Sequence, residues 1–210
     1  MESVKLIKTI ILASASPRRR ELLSLVTDDF EIITADIDER AAEIRMEEEG
    51  VPANKVSERL AEIKAEAVFD SLTEEEKDNS IVIGADTSVI LDDVIYGKPE
   101  DREDAVRMLS SMSGRAHVVA TGVALFTRSS KRVFTEETRV EFNALDDYQK
   151  TLISEYCDSR SPFDKAGAYG IQDKGALLIK GIDGDYSNVV GLPVARLARE
   201  LAIMVKYSLE

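Results

Sequence analysis

One stretch constrains the fold more than any other. Ile10-Ile11-Leu12-Ala13 is a short apolar run, and Ser14-Ala15-Ser16-Pro17-Arg18-Arg19-Arg20 follows it at once. The run has the character of a buried strand, and Leu22, Leu25 and Val26 then recur at the spacing of one helical face. Pro17 suits a first helical position and Ser16 a cap, so the chain reads strand, tight turn, helix over about 5–26. The three arginines break a local rule, because a helix N-terminus already carries partial positive charge. A capping box would place Glu or Gln where Arg19 stands. A turn of serine hydroxyls, backbone N–H groups and guanidinium forks is chemically a cradle for an anion such as phosphate. The alternative is a solvated basic turn paired with Glu21 and other surface acids. Helical spacing also sorts the arginines. Arg18 lies one turn before Leu22 and Arg19 one turn before Leu23, so both project toward the packed side, whereas Arg20 precedes Ser24 and faces solvent.

Strands and helices alternate through the rest of the chain. Phe30–Thr34 is a short strand, and Ala35–Arg40 a carboxylate-dense loop that leads into an acidic stretch ending at Gly50. Residues 53–70 form a helix with Val56, Leu60, Ile63 and Ala67 on one face and Lys64 beside it. Glu74–Asn79 reads as a polar linker. Ser80–Ala85 is a central strand ending at Asp86-Thr87, and Ser88–Leu91 with Val94–Tyr96 makes a hairpin around Asp92-Asp93. A helix over 101–112 ends at Gly114, and two long strands, 116–127 and 132–143, follow. A helix over 146–157, an irregular Ser161–Gln172 segment, a strand over Gly175–Ile182 and a closing helix from Pro193 to about Val205 complete the pattern. Leu209-Glu210 is set aside as a cloning remnant. This is an α/β (mixed α+β) chain with a mixed sheet. The 210 residues suffice for one domain of two lobes around a cleft.

Composition excludes several classes. No apolar run approaches the ~20 residues of a membrane span. No signal-peptide core follows Lys5 and Lys8. A single cysteine, Cys157, fits a reducing compartment, and the lone His117 cannot build a zinc site and reads as structural. The formal charge of −13 disfavours nucleic acid and anionic membranes as partners. It leaves room for a small polyphosphate in a local cationic pocket, and such a pocket among acids calls for a divalent metal. The expectation is a cytoplasmic protein with neither nucleic-acid nor membrane partners.

Candidate chemistry lies at a few positions. Asp86, where a core strand emerges, suits a metal ligand or general base, and equally a turn cap. Asp36, Asp38 and Glu39 form a second acidic group that could share Mg²⁺ with it across a cleft. Lys98, between Gly97 and Pro99, is either a turn residue or a phosphate contact. Lys64 could run along the core with its head in the cleft. Small residues around Tyr169 suit a loop that approaches a ligand, and the Gln172 amide could read a base edge. No nucleophile triad is present.

Together these segments resemble one family. Ser14-Ala15-Ser16-Pro17-Arg18-Arg19, Gly84-Ala85-Asp86-Thr87, Gly97-Lys98-Pro99, Ser113-Gly114-Arg115-Ala116-His117, Asp164-Lys165 through Gly170-Ile171-Gln172, and Asp183-Gly184-Asp185-Tyr186-Ser187-Asn188 through Pro193 occur in the order seen in Maf proteins. The resemblance spans about 8–203. It implies a two-lobed fold similar to the inosine triphosphatase group, with an elongated mixed sheet and a central cleft. It also implies a nucleoside triphosphate pyrophosphatase that releases a monophosphate and pyrophosphate, a divalent metal (Mg²⁺, with Mn²⁺ or Co²⁺ as substitutes) and a homodimer. By the same resemblance Asp86 is the catalytic carboxylate and, with Glu39, a metal ligand. Ser14, Arg18, Arg19, Lys64 and Lys98 hold the triphosphate, and Arg18, Thr87 and Gln172 match positions linked to substrate choice. Those three residues look like the branch associated with dTTP, UTP and modified pyrimidine triphosphates. The branch preferring 7-methyl-GTP has Trp and Gln at the first two positions and no Gly-Ile-Gln. The loop around Glu39 is longer and more acidic than the family pattern. The competing reading is a non-catalytic nucleotide-binding regulator of septum formation.

Overall fold

The computed structural model describes residues 8–207. The expected start of the first strand at 5–7, and Leu209-Glu210, lie outside the described residues. Strand β1 (Thr9–Leu12) enters helix α1 (Pro17–Leu23), with Ser16 as cap accepting the Arg19 N–H and Pro17 at the first helical position. The helix is a single short stretch. Leu25 therefore falls beyond it and is 73% exposed, contrary to the expected apolar face, while Leu22 and Leu23 are buried. Strand β2 (Phe30–Ile32) stops before Ile33 and Thr34.

The acidic stretch is a helix, α2 (Glu39–Glu48), capped by Asp38. Helix α3 (Ala53–Ser71) buries Ser57, Ala61, Lys64, Ala65 and Val68 along with Val56 and Leu60, so its inner stripe is rotated from the expected one and Ile63 and Ala67 sit at its margin. The expected polar linker is a one-turn helix, α4 (Glu74–Asn79), closed by a Thr73/Glu76 capping box.

Strand β3 (Ser80–Leu91) runs unbroken through Asp86 and Thr87, so these are mid-strand residues rather than a strand end. Strand β4 (Val94–Tyr96) closes the hairpin, and α5 (Arg102–Met112) is capped by Asp101. The long pair is β5 (Ala116–Phe126) and β6 (Lys131–Phe142), followed by α6 (Asp147–Asp158). Residues 174–178 form a 3₁₀ turn, which shortens the expected strand to β7 (Ile179–Asp183). Helix α7 (Tyr186–Val190) was not anticipated, and α8 (Val194–Tyr207) ends the described chain.

All seven strands join one mixed sheet in the order β2-β1-β3-β5-β6-β7, with β4 also on β3. The strands β2, β1 and β3 are parallel, and the remaining pairings are antiparallel. On one face, Ile81, Ile83 and Ala85 pack with Leu22, Leu23, Leu197 and Leu201; further along that face Val89 and Leu91 join a second cluster with α5 and α6. The opposite face packs Val82 and Ala124 against Ala61, Ala65 and Val68 of α3. That helix lies unusually close because the sheet presents glycine beneath it. A Cβ at Gly84 would overlap the Ala61 carbonyl oxygen and stand 2.9 Å from the Ala65 Cβ, and one at Gly122 would overlap the backbone at Glu58.

Candidate active site

The sheet has a notch. Strand β1 pairs with β3 only from Ser80 to Ile83, ending where the Ala13 N–H meets the Ile83 carbonyl at 2.8 Å. On the same edge β4 takes over at Val89. Between them Gly84–Ser88 is bonded only to β5, leaving one edge open to a cavity of about 400 Å³. Asp86 and Thr87, as neighbours in a strand, point to opposite faces of the sheet, and the notch lets both border the same space.

On the α3 side, the buried Lys64 ammonium lies 2.7 Å from Asp86 Oδ1 and 2.9 Å from Glu39 Oε2. The lysine stem runs through the packed stripe and its head emerges in the cavity, as amphipathic side chains do. Gly84 makes this contact possible, since any larger residue would hold α3 away from the strand. Glu43, one turn beyond Glu39 on α2, senses the same cluster. Burial raises its pKa above the usual carboxylate range, and the charges of Asp86 and Glu39 add to that, against Arg40 and Lys64. Its part was not foreseen. Reading the Ala- and Glu-rich run after Asp38 as a helix would have placed it, because four residues bring it above Glu39.

On the α1 side, Arg19 fans out over three neutral acceptors. Its Nε donates to the Gly191 carbonyl (2.9 Å), Nη2 to the Thr87 hydroxyl (3.0 Å) and Nη1 to Ser14 Oγ (3.4 Å). Thr87 in turn meets Thr121 at 3.0 Å, its partner in the β3–β5 register, and Thr121 donates to the Asn188 carbonyl. No carboxylate among the described residues lies within ion-pair distance of this guanidinium. Burial pulls its pKa below the ordinary arginine value, the more distant Asp86 and Glu39 oppose that, and Arg18 reinforces it. A desolvated cation held by neutral groups alone is an incomplete ion pair.

The third wall comes from the glycine-rich segment. The Gly167 N–H donates to the Gly97 carbonyl at 3.0 Å, docking the segment beside Lys98. Lys98 is exposed and makes no ion pair among the described residues. Arg18 donates to Asp164 at 3.0 Å, and Lys165 also reaches Asp164, at 2.7 Å. Tyr169 turns into the core and meets His117 Nε2 at 2.8 Å. The buried imidazole is held to a pKa of about 4 by desolvation, consistent with a structural role. Arg20 is exposed, as helical spacing anticipated.

The residues expected to act on the substrate or metal, namely Ser14, Arg18, Arg19, Glu39, Lys64, Asp86, Thr87, Lys98 and Gln172, all border this one cavity. Asp164 and Lys165, which belong to one of the quoted motifs but were assigned no role, and Asp173, which was not singled out, border it too. Asp36 and Asp38 do not border it; Asp38 instead caps α2.

The donor set accepts a cation. Asp86 and Glu39 come from different elements yet converge on one point, which the Lys64 ammonium occupies. Two carboxylates facing anion-binding cations suit a hard divalent ion that fills its remaining positions with water and phosphate oxygens. Among the described residues no cluster of three or more potential ligating side chains exists.

Fold and cavity thus define an α/β protein with a cleft, lined by cationic and carboxylate side chains, at the open edge of its central strand. The chain belongs to the Maf family: the model for Maf-like proteins matches residues 9–204. Its relatives include a dTTP/UTP pyrophosphatase of Acetivibrio thermocellus, 48% identical over 193 residues, covering 90% of this chain and 92% of the relative. Proteins of the same name from Bacillus velezensis (46% identical, 92% and 95% covered) and Thermosipho africanus (44%, 90% and 89%) are similarly related.

Proposed function

We propose that this protein is a nucleoside triphosphate pyrophosphatase acting on dTTP, UTP and related pyrimidine triphosphates, cleaving between the α- and β-phosphates. The observation that carries the reading is the division of charge across the notch: among the described residues Arg19 has no anionic partner on one side, while Asp86 and Glu39 share the Lys64 ammonium on the other. Phosphoanhydride hydrolysis needs positioning and charge neutralisation more than a protein nucleophile. Arg19, Arg18, Lys98 and the Ser14 hydroxyl hold the triphosphate. Lys64 orients Asp86 and adds positive charge at its carboxylate. Asp86 accepts the proton of the attacking water, and the products are a nucleoside monophosphate and pyrophosphate.

Asp86 and Glu39 would hold the divalent cation, which when bound neutralises phosphate oxygens and makes water more acidic. Thr87 serves this chemistry indirectly, as the hydroxyl that aims Arg19. Gln172, exposed at the rim, offers an amide to a base edge, and Arg18 lies on the same side of the cavity. No helix among the described residues is long and apolar enough to cross a membrane, and we place the protein in the cytoplasm, acting as a homodimer without nucleic-acid partners.

Product analysis with Mg²⁺ and dTTP, UTP, CTP, GTP and 7-methyl-GTP tests the reading. Monophosphate and pyrophosphate from dTTP and UTP are expected. Orthophosphate as the first product would reject α–β cleavage, and tight metal-dependent binding without turnover would favour a non-catalytic nucleotide-binding regulator. Asp86→Asn is expected to fold normally and to lose activity by about a hundredfold or more; near-normal turnover in a folded variant would remove Asp86 from its role.

A further inference from the structure

Gln172 is exposed at the rim of the cavity, and its amide makes no hydrogen bond among the described residues. Its placement therefore depends on the backbone to either side. One atom beneath that backbone binds on both sides of Gln172. Tyr156, on α6, is a core residue with its ring buried among Leu152, Ile153 and Leu178. Its hydroxyl accepts the Gly170 N–H at 3.0 Å and donates to Asp173 Oδ1 at 2.8 Å. A single oxygen thus clips both ends of Gly170-Ile171-Gln172-Asp173.

The Asp173 end is further fixed. Oδ1 also accepts the Gly175 N–H at 2.8 Å, and Oδ2 accepts the Ser161 hydroxyl at 2.6 Å with the Lys165 ammonium 3.4 Å away. Burial works against the Asp173 charge, but the hydrogen bonds from Ser161, Gly175 and Tyr156 and the charge of Lys165 hold its pKa below the usual carboxylate range. Burial and the Asp173 charge together keep the Tyr156 phenol protonated, so it remains a donor.

We propose that Tyr156 is a positioning residue for base selection: through its hydroxyl it fixes the segment that presents the Gln172 amide to the nucleobase. The proposal rests on the pyrophosphatase reading and on Gln172 meeting the base. Hydrogen-bond recognition of a base tolerates little displacement, so slack in four residues at the rim erodes discrimination. Tyr156 does not itself line the cavity, which separates its effect from that of the residues that do.

Tyr156→Phe keeps the ring and deletes the staple. Two measurements test it. In hydrogen exchange, the peptide spanning 170–175 is expected to lose protection while the rest of the sheet keeps it. In steady-state kinetics, the ratio of kcat/KM for dTTP over CTP is expected to fall roughly three- to tenfold, the loss of about one hydrogen bond's worth of discrimination, through KM with kcat near wild type. Adding Tyr156→Phe to Gln172→Ala is expected to cost no further discrimination, since both changes remove one interaction.

Unchanged exchange at 170–175 would overturn the staple. An equal loss of kcat for every nucleotide would show a purely structural role and overturn the positioning. A Gln172→Ala protein with unaltered discrimination would also overturn it, while leaving pyrophosphate release from dTTP standing. Affinities for α,β-imido analogues of dTTP and CTP report the same ratio without turnover. A protein that discriminates between these analogues through Gln172 and Tyr156 but releases no pyrophosphate would therefore refute the reaction and uphold the positioning.

Discussion

Arg18, Arg19 and Arg20 are consecutive and chemically identical, yet they end in three settings. Arg19 spreads over Ser14, Thr87 and Gly191 with no anion beside it among the described residues, Arg18 shares Asp164 with Lys165, and Arg20 projects into solvent. Helical geometry separates them by about 100° per residue, so only the first two can face the cavity. Arg18→Ala should lower kcat/KM about 10- to 100-fold, the size of one lost charge-assisted hydrogen bond, whereas Arg20→Ala should stay within about twofold. Equal losses from the two substitutions would show that the turn is not sorted this way. The sorting was legible in the sequence because it depends only on the period of α1. The Thr87–Thr121 pair was not, because it needs the β3–β5 register to bring a hydroxyl from 34 positions away.

At the scale of the element, the strand and helix bearing Asp86 and Lys64 are coupled by a missing side chain. Apolar residues dominate a periodicity reading, which favoured Val56, Leu60, Ile63 and Ala67, and of these only Val56 and Leu60 are buried. The face of α3 that meets the sheet instead carries Ser57, Ala61 and Ala65, small residues that let the backbones approach over Gly84 and Gly122. Long elements with strong patterns, such as α3, α5, β5 and β6, were therefore legible to within a few residues. The polar helices α2 and α4 were not, because capping and charge rather than an apolar stripe define them. Gly84→Ala should destabilise the protein by about 2–3 kcal/mol through overpacking, lowering Tm by roughly 5–10 °C in a chain of this size. It should also lower turnover, since α3 must retreat and carry Lys64 from Asp86. Gly181→Ala on β7, where an added Cβ meets nothing within 4 Å, should leave Tm within about 2 °C. Calorimetry on the pair checks the claim; similar Tm values for both would mean that the helix can yield without cost.

At the scale of the whole molecule, the cavity lies where two parts of the core meet along one sheet. Arg19 stands over the cluster built on α1 and α8, while Tyr169 and Tyr156 hold the opposite wall from the cluster built on α5 and α6. Against the second cluster packs the chain's one histidine, His117, edge-on to both Phe142 and Tyr169. Desolvation lowers the His117 pKa from 6.5 to about 4, so between these values the unfolded chain binds a proton that the folded chain refuses. Stability must then rise with pH across that window and fall on acidification, by up to about 3 kcal/mol from this residue. The carboxylates contribute in the same acidic range, so wild type alone cannot isolate the effect. His117→Gln retains a partner for the Tyr169 hydroxyl and cannot titrate. Its Tm is expected to fall less steeply than that of wild type between pH 6.5 and 4, with the curves parallel above pH 7; parallel curves throughout would show that the imidazole protonates freely in the folded state. Because the Tyr169 hydroxyl bonds this ring and Gly170 follows directly, the same acid window should also loosen the segment carrying Gln172. Exchange at 170–175 should therefore rise on acidification in wild type, relative to intrinsic rates, before the sheet itself opens.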